Sequence, residues 1–371
     1  MSQLQYTRKN MDNFPYIEIE GTPYEIGFQE GRNFGRQIRE SIDCYKEMFM
    51  DYSGLEWKRA KKLSRKFIDV IREYNSDYLE EIRGVADGAE LEFEDILALN
   101  CRSELVFVGK EFDKADGGCT SIGISKERAA NGEAISAHNW DWKTSQRKNM
   151  VMMKIHQNNG KPTIFMVTEA GIIGKTGFNS AGLSVFLNAL STNQAPEGIP
   201  LHIAMRAIVD CETISEALTM VTRMPLGCCA NFMLSHRNGE CIHVEIGNED
   251  FDVLYPENGI AVHTNHFCSQ RLPIRPRKDT MKYKTPDSFI RRGRALKILE
   301  KKEKPITIED VKEVLKDHIE YPDSICRHDN PKVPEGLRMG TVFSMIVNLG
   351  TGDIYFCKGN PCEYEYEHYH I

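Results

Sequence analysis

No stretch of the 371-residue chain approaches the roughly 18 to 20 consecutive apolar residues that a helix needs to span a bilayer, although hydrophobic residues make up 41% of it. No membrane role is therefore expected. The first ten residues, Met1-Ser2-Gln3-Leu4-Gln5-Tyr6-Thr7-Arg8-Lys9-Asn10, hold no apolar core and no small-residue cleavage site. They do not read as a secretory signal, so a cytoplasmic location is expected. There is no surplus of positive charge: the formal net charge is −7, and proteins that displace counterions from a phosphate backbone usually carry the opposite sign. Nucleic acid is not an expected partner. The cysteines lack a repeated C-x-x-C spacing, and their number, 11, is odd, which fits reduced thiols better than a disulfide framework. Internal repeats, low-complexity tracts and long linkers are missing too, leaving one large domain, or one domain with an appendage.

What is present begins as helix. From Trp57, the residues Ala60, Leu63, Phe67, Val70, Ile71, Tyr74, Tyr78 and Ile82 recur at spacings of three and four between charges, the pattern of a buried helical stripe. Other helices are predicted near 25–49 and 93–99. Around Asp116-Gly117-Gly118 the paired glycines break this pattern, and 120–125 reads as a strand. Past that seam, Asn131-Gly132, Asn159-Gly160, Asn238-Gly239 and Asn258-Gly259 separate apolar runs and predict antiparallel hairpins. Strands are expected at 134–138, 150–156, 163–167, 230–235, 241–245 and 260–264, with a late hairpin of 342–348 and 354–356. Helices are expected at 201–209, 213–222, 288–301 and 308–318, and the tail 363–370 reads as an edge strand. Strand blocks alternating with helix pairs favour an α+β fold of antiparallel sheets covered by helices.

Chemistry concentrates in Asp116-Gly117-Gly118-Cys119-Thr120-Ser121 and Ala137-His138-Asn139-Trp140-Asp141-Trp142. A Gly-Cys pair alone says little, because cysteine is often a small buried hydrophobe. Here it stands in an ordered series. Gly21-Thr22-Pro23-Tyr24-Glu25-Ile26-Gly27 with Gly31 comes first, then Ala86-Asp87-Gly88-Ala89 and Leu97-Ala98-Leu99-Asn100. After Gly118-Cys119-Thr120 and Asn139-Trp140-Asp141 follow Asn265-His266-Phe267 and Arg338-Met339-Gly340-Thr341-Val342-Phe343. This series resembles the acyl-coenzyme A:isopenicillin N acyltransferase family, a self-processing cysteine peptidase family related more distantly to bile-salt hydrolases and penicillin V acylases.

The resemblance implies a four-layer αββα sandwich of the N-terminal nucleophile hydrolase type, cleaved between Gly118 and Cys119. Segment 1–118 would then be a helical part and segment 119–371 the nucleophile-bearing part of one unit. Cys119 would supply thiol and α-amine together; such an amine titrates near ~7.7–8.0 and can take the thiol proton without a histidine. In the same reading Asp141 holds the amine, Asn265 donates to the oxyanion, and Arg338 sits beside the thiol. Asn188, in Gly182-Leu183-Ser184-Val185-Phe186-Leu187-Asn188, resembles the place where bile-salt hydrolases use a backbone N–H for the oxyanion, and Asn139 belongs to the aspartate motif. No cofactor or metal is expected, since His263 and His266, three apart in a strand, point to opposite faces. The substrate would be a small-molecule amide or thioester.

Other motifs are weaker. Gly174-Lys175-Thr176 lacks the earlier glycine of a phosphate loop, and Cys228-Cys229 fits a buried strand start. The run Arg271, Arg275, Arg277, Lys278, Lys282, Lys284, Arg291, Arg292, Arg294 reads as solvated loop and helix faces or as an anion-binding lip for a carboxylate or a phosphorylated carrier such as coenzyme A. Three readings of function stay open: hydrolysis of a linear carbon–nitrogen amide bond or acyl transfer from coenzyme A, an intact chain pairing Cys119 with His138 or His266, and a silent binding protein.

Overall fold

The computed structural model describes residues 14–106, 118–192, 197–247, 250–272, 279–280, 284–303 and 305–371. Asp116 and Gly117, and Arg275, Arg277, Lys278 and Lys282 of the basic run, lie outside the described residues.

Among the described residues, fourteen strands form two sheets. The larger runs in the order β1 (Tyr16–Gly21), β4 (Met150–Gln157), β5 (Ile164–Glu169), β6 (Thr176–Asn179), β7 (Leu183–Ala189), β8 (Ala230–His236), β9 (Cys241–Ile246), β10 (Phe251–Leu254). The smaller runs β11 (Ile260–His263), β2 (Gly118–Ile124), β3 (Ile135–Lys143), β12 (Met339–Asn348), β13 (Asp353–Cys357), β14 (Glu367–His370). Every pairing is antiparallel except β1 with β4.

The period-2 alternation of the strands separates three cores, and so four layers. Met150 and Met152 of β4 face the smaller sheet and pack with Trp140, Phe343 and Met345. Val151, Met153 and Ile155 face the other way, against helices α1 (Pro23–Ser53), α2 (Trp57–Ser64), α3 (Ile68–Asn75), α4 (Asp77–Ala89), α5 (Phe93–Asn100), α6 (Arg102–Val106), α7 (Leu201–Val209) and α8 (Ile214–Thr222). On the outer face of the smaller sheet, Ile122, Ile135 and Ala137 meet Ala295 and Leu299 of α9 (Asp287–Glu300) and Val311 and Val314 of α10 (Ile308–Leu315). The expected αββα sandwich is thus the observed architecture. None of the described helices is long and apolar enough to cross a membrane.

Two differences from the sequence reading have physical reasons. The stripe from Trp57 to Ile82 is not one rod: the backbone tightens into a 3-10 turn at Arg65–Phe67, and the buried residues are shared among α2, α3 and α4. All four Asn-Gly pairs lie in antiparallel connections, but Asn258-Gly259 turns only the short antiparallel bridge of Glu257 with Ile260, and the chain there passes from β10 in the larger sheet to β11 in the smaller. An Asn-Gly pair supplies positive φ, here 52° and 73°, and does not dictate which strand comes next.

Two of the motifs that carried the resemblance prove architectural. Gly21-Thr22-Pro23-Tyr24-Glu25 is a capping box: Glu25 Oε2 accepts the Thr22 N–H at 2.8 Å, the Thr22 hydroxyl accepts the Glu25 N–H, and Pro23 opens α1. Gly27, Gly31, Gly84 and Gly88 let α1 and α4 touch backbone to backbone. A Cβ on Gly84 would lie 2.1 Å from the Tyr24 carbonyl oxygen, and one on Gly27 2.0 Å from that of Glu81. Gly84→Ala should therefore cost more than about 3 kcal/mol, since helix backbones must part. Gly293→Ala on α9, where nothing lies within 4 Å, should be neutral or stabilising by about 0.5–1 kcal/mol. Thermal unfolding of both variants checks this; equal melting temperatures would contradict the close-approach account.

Candidate active site

Cys119 is the second residue of β2, paired with Trp140 of β3, while Gly118 pairs with Asp141 and Thr341 of β12 pairs with Asp141 from the other side. Alternation sends the Cys119 side chain inward between the sheets, with Trp140, and the Asp141 side chain outward toward α9. The thiol and the carboxylate thus lie on opposite faces of one sheet, and the peptide joining Gly118 to Cys119 runs between them.

Around that peptide Asn265, Arg291, Arg327 and Asp141 converge, with Asp287 joining the two arginines. The Cys119 N–H donates to Asn265 Oδ1 at 2.9 Å. Arg291, buried on α9, donates through Nη2 to the same oxygen at 2.9 Å and through Nη1 to the Cys119 carbonyl at 2.7 Å. Its Nε bonds Asp287 Oδ2 at 2.8 Å, and Arg327 Nη2 reaches that oxygen at 2.6 Å. Arg327 Nε in turn lies 3.8 Å from Asp141 Oδ2. The chain Asp141–Arg327–Asp287–Arg291 alternates in charge, which keeps three buried ions and the half-buried Asp287 compensated.

Asp141 is fully buried. The Thr341 hydroxyl donates to its Oδ1 at 2.7 Å, and its Oδ2 has no hydrogen-bond partner among the described residues. That oxygen lies against Gly118, where an added Cβ would sit 2.9 Å from it. Burial pushes the Asp141 carboxyl up to about 7, against the pull of Arg327 and Arg291. Burial, followed by the Asp141 charge, pushes the Cys119 thiol up to about 12. In the intact chain the thiol is protonated and needs a base before it can attack.

Above the thiol opens a cavity walled by Trp140, Trp142, Val106, Leu187, Leu190 and Leu201, with Asn265, Arg102 and Lys284 also on its lining. Beneath its tryptophans lies a buried ionic cluster. Glu169 accepts from Arg102 at 2.9 Å and from Lys175 and Tyr45, and the Lys175 ammonium sits 3.6 Å from the Trp140 ring centroid. Burial would raise Glu169, but Arg102 and Lys175 hold it as a carboxylate at about 2.

Of the residues expected from the sequence, Gly118, Cys119, Asp141 and Asn265 come together. Arg338 does not join them: it precedes β12, and its Nε donates to the Val333 carbonyl at 3.0 Å. Among the described residues, the cations beside the Gly118–Cys119 peptide are Arg291 and Arg327. The Asn188 side chain, which the expected backbone N–H role does not use, is held within the site's sheets, its Oδ1 accepting from Ser121 Oγ and from Asn231 Nδ2 at 2.8 Å. Asn139 faces the α10 layer and donates to the carbonyls of Leu315 and Ile325, both at 2.9 Å. Among the described residues no histidine is bonded to the Cys119 thiol. His138 stacks on Phe186 and His266 bonds Ser288 Oγ at 2.8 Å, and burial pushes each imidazole down to about 3, too weakly basic to take a thiol proton. In the basic run, Arg271 pairs with Asp252 and Arg294 with Asp317.

A family model described as acyl-coenzyme A:6-aminopenicillanic acid acyl-transferase matches residues 128–363. The chain is 32% identical over 314 residues to the acyl-coenzyme A:6-aminopenicillanic-acid-acyltransferase 40 kDa form of Emericella nidulans, covering 84% of each chain. It is 24% identical over 253 residues to the beta-alanyl-dopamine/carcinine hydrolase of Drosophila melanogaster, covering 62% of this chain and 64% of that one. A solved structure of penicillin V acylase from Agrobacterium tumefaciens aligns with a TM-score of 0.43 at 14% identity, over 65% of this chain and 83% of that one.

Proposed function

Since the chain belongs to the acyl-coenzyme A:6-aminopenicillanic acid acyl-transferase family, we propose that it cuts itself between Gly118 and Cys119 and then hydrolyses a small acylated amide through a Cys119 thioester. One observation carries this reading: a buried carboxylate oxygen of Asp141, without a hydrogen-bond partner among the described residues, lies against Gly118, the residue whose carbonyl carbon is bonded to the Cys119 nitrogen. A buried acceptor left unpaired is costly. An ammonium created at that nitrogen would satisfy it.

In processing, the Cys119 sulfur attacks the Gly118 carbonyl carbon, the carbon–nitrogen bond breaks, and its nitrogen leaves as the Cys119 amine. Water then hydrolyses the Gly118 thioester, releasing a carboxylate and the thiol. In turnover the amine accepts the thiol proton, the thiolate attacks the substrate carbonyl, and the proton passes to the departing amine. Asn265 is oriented by Arg291 through Oδ1 and uses one Nδ2 hydrogen on the Ala189 carbonyl at 3.1 Å. Its second hydrogen is the oxyanion donor we assign, a role worth ~10²–10³-fold elsewhere. The tryptophan- and leucine-lined cavity suits an apolar acyl group.

Water needs no acceptor site, which favours hydrolysis. Transfer from a coenzyme A thioester is the second reading, supported by the name of the Emericella relative and by Lys284 on the cavity lining. The two cleavage products, 1–118 and 119–371, should stay together, because β1 of the first pairs over six residues with β4 of the second and α1 to α6 share a core with its sheet. The eleven cysteines are unpaired, and a reducing setting such as the cytoplasm is the one we propose for them. Intact-mass measurement of the purified protein tests the reading: two co-purifying fragments meeting between Gly118 and Cys119 are expected, whereas one uncleaved, fully active chain would overturn it.

A further inference from the structure

Away from the Cys119 cavity, four side chains that can ligate a soft metal meet in one place. His318 follows α10, Cys326 and His328 lie in the segment between α10 and β12, and Cys362 lies between β13 and β14. Their ligand atoms all fall within 4.8 Å of one another. His318 Nε2 is 3.1 Å from His328 Nε2, Cys326 Sγ is 3.5 Å from Cys362 Sγ, and the two sulfurs are 3.6 and 3.3 Å from His328 Nε2. A tetrahedral zinc with Zn–S near ~2.3 Å and Zn–N near ~2.0–2.1 Å has ligand-to-ligand edges of about 3.3–3.8 Å. These four separations match those edges to within a few tenths of an ångström, and the remaining two, from His318 to the sulfurs, are no longer than 4.8 Å.

The surroundings are those of ligands held from behind. Glu363 Oε1 lies 3.5 Å from His328 Nδ1, so the ring nitrogen facing away from the cluster has a carboxylate partner, leaving Nε2 to ligate. Asn360 Nδ2 is 3.5 Å from Cys326 Sγ and donates to the Arg327 carbonyl at 2.7 Å. The Cys326 and His328 N–H groups are bonded to the carbonyls of Asp317 and Pro322 at 3.1 and 2.9 Å. We propose that His318, Cys326, His328 and Cys362 form a structural Cys2His2 zinc site.

Two thiolates and two neutral imidazoles on Zn²⁺ give a centre of zero net charge; binding from the thiol form releases two protons, one from each cysteine. With four protein ligands the site is closed, so its role is architectural and not hydrolytic. It would clamp the connection between β13 and β14 to the segment carrying Arg327, which stands between two ligands and reaches Asp141 and Asp287. The inference stands on this cluster alone and does not depend on the reading of Cys119.

His318 and Cys362 are exposed, so His318→Gln and Cys362→Ser should fold and can be compared with the wild type by circular dichroism. Reduced wild-type protein, reconstituted with zinc and desalted, should carry one zinc per chain by elemental mass spectrometry, and each variant less than a tenth of that. Cobalt substitution should give thiolate-to-metal charge transfer and intense visible bands of a tetrahedral S2N2 centre. A strong chelator should lower the wild-type melting temperature by on the order of 5–10 °C, to that of the variants, and leave theirs unchanged. The proposal is overturned by absence of zinc from reconstituted wild type, by full zinc in folded Cys362→Ser, or by a peptide map showing a Cys326–Cys362 disulfide in protein isolated without oxidant.

Discussion

Cys119→Ala is expected to remain one chain of full mass and to show no amide turnover. The variant removes the only atom at this position that can attack a carbonyl, so processing and catalysis fail together. The structural cost is small: the side chain is 4% exposed within the core between the sheets, and losing one sulfur there costs on the order of 1 kcal/mol. Folding can therefore be verified independently, by the melting temperature and by the retained β1–β4 pairing. Cys119→Ser is the graded companion. Its hydroxyl is far less acidic than a thiol, and the site that already pushes the thiol up to about 12 would hold the hydroxyl neutral still more firmly. Serine should thus process slowly or not at all. If Gly118-Cys119 were only a buried turn with an inert thiol, alanine would leave mass and activity as they are in the wild type. Intact mass and an amide-hydrolysis assay on the same preparation separate the two accounts, and cleavage with full activity in Cys119→Ala would end the nucleophile reading.

What the sequence shows of this site, and what it hides, follows from geometry. Cys119, Asp141 and Asn265 are legible because each sits in a short motif on or beside a strand, and strands β2, β3 and β11 are neighbours in one sheet. The cations are harder. Arg338 was the expected one, but in β12 it is Thr341 that pairs with Asp141, so Arg338 falls past the strand end and bonds Val333. Arg291 was hidden in a charge run read as solvated. A signal was nonetheless present: Ser288, Arg291, Ala295 and Leu299 are spaced by three and four and form the buried stripe of α9, so Arg291 is the one fully buried charge of that helix, one turn after its partner Asp287. Arg327, Cys326, His328 and His318 lie in a connection without periodicity, and Cys362 joins them through the late hairpin; no spacing along the chain announces that cluster. Within the larger sheet, β1 escaped because its partner, β4, is more than a hundred residues away, and pairing at that separation leaves no local turn signal.

Asp141→Asn should process or turn over at least about 10²-fold more slowly and should move the acid limb of the pH profile downward. The substitution keeps the side chain's shape and the Thr341 contact at Oδ1 but removes the charge facing Gly118. In the mature enzyme that charge would lie beside the Cys119 ammonium. An anion at such range favours the protonated amine and raises its pKa by about 1–3 pH units, from an ordinary ~7.7–8.0. The working base is the neutral amine, so activity falls as pH drops through the amine's pKa. Without the carboxylate the amine gives up its proton more readily, and the limb shifts to lower pH by about 1 unit or more. The rate on the plateau falls all the same, because the amine is no longer held against the thiol, and misplacement of a reacting group by about 1 Å can cost 10²-fold. A slower enzyme with a lower acid limb is a pair of changes that general destabilisation does not produce: partial unfolding would lower the plateau and leave the limb in place. Measuring kcat against pH for both proteins, with the folded fraction checked by melting, decides it; a folded Asp141→Asn with an unshifted limb and wild-type kcat would remove Asp141 from the site.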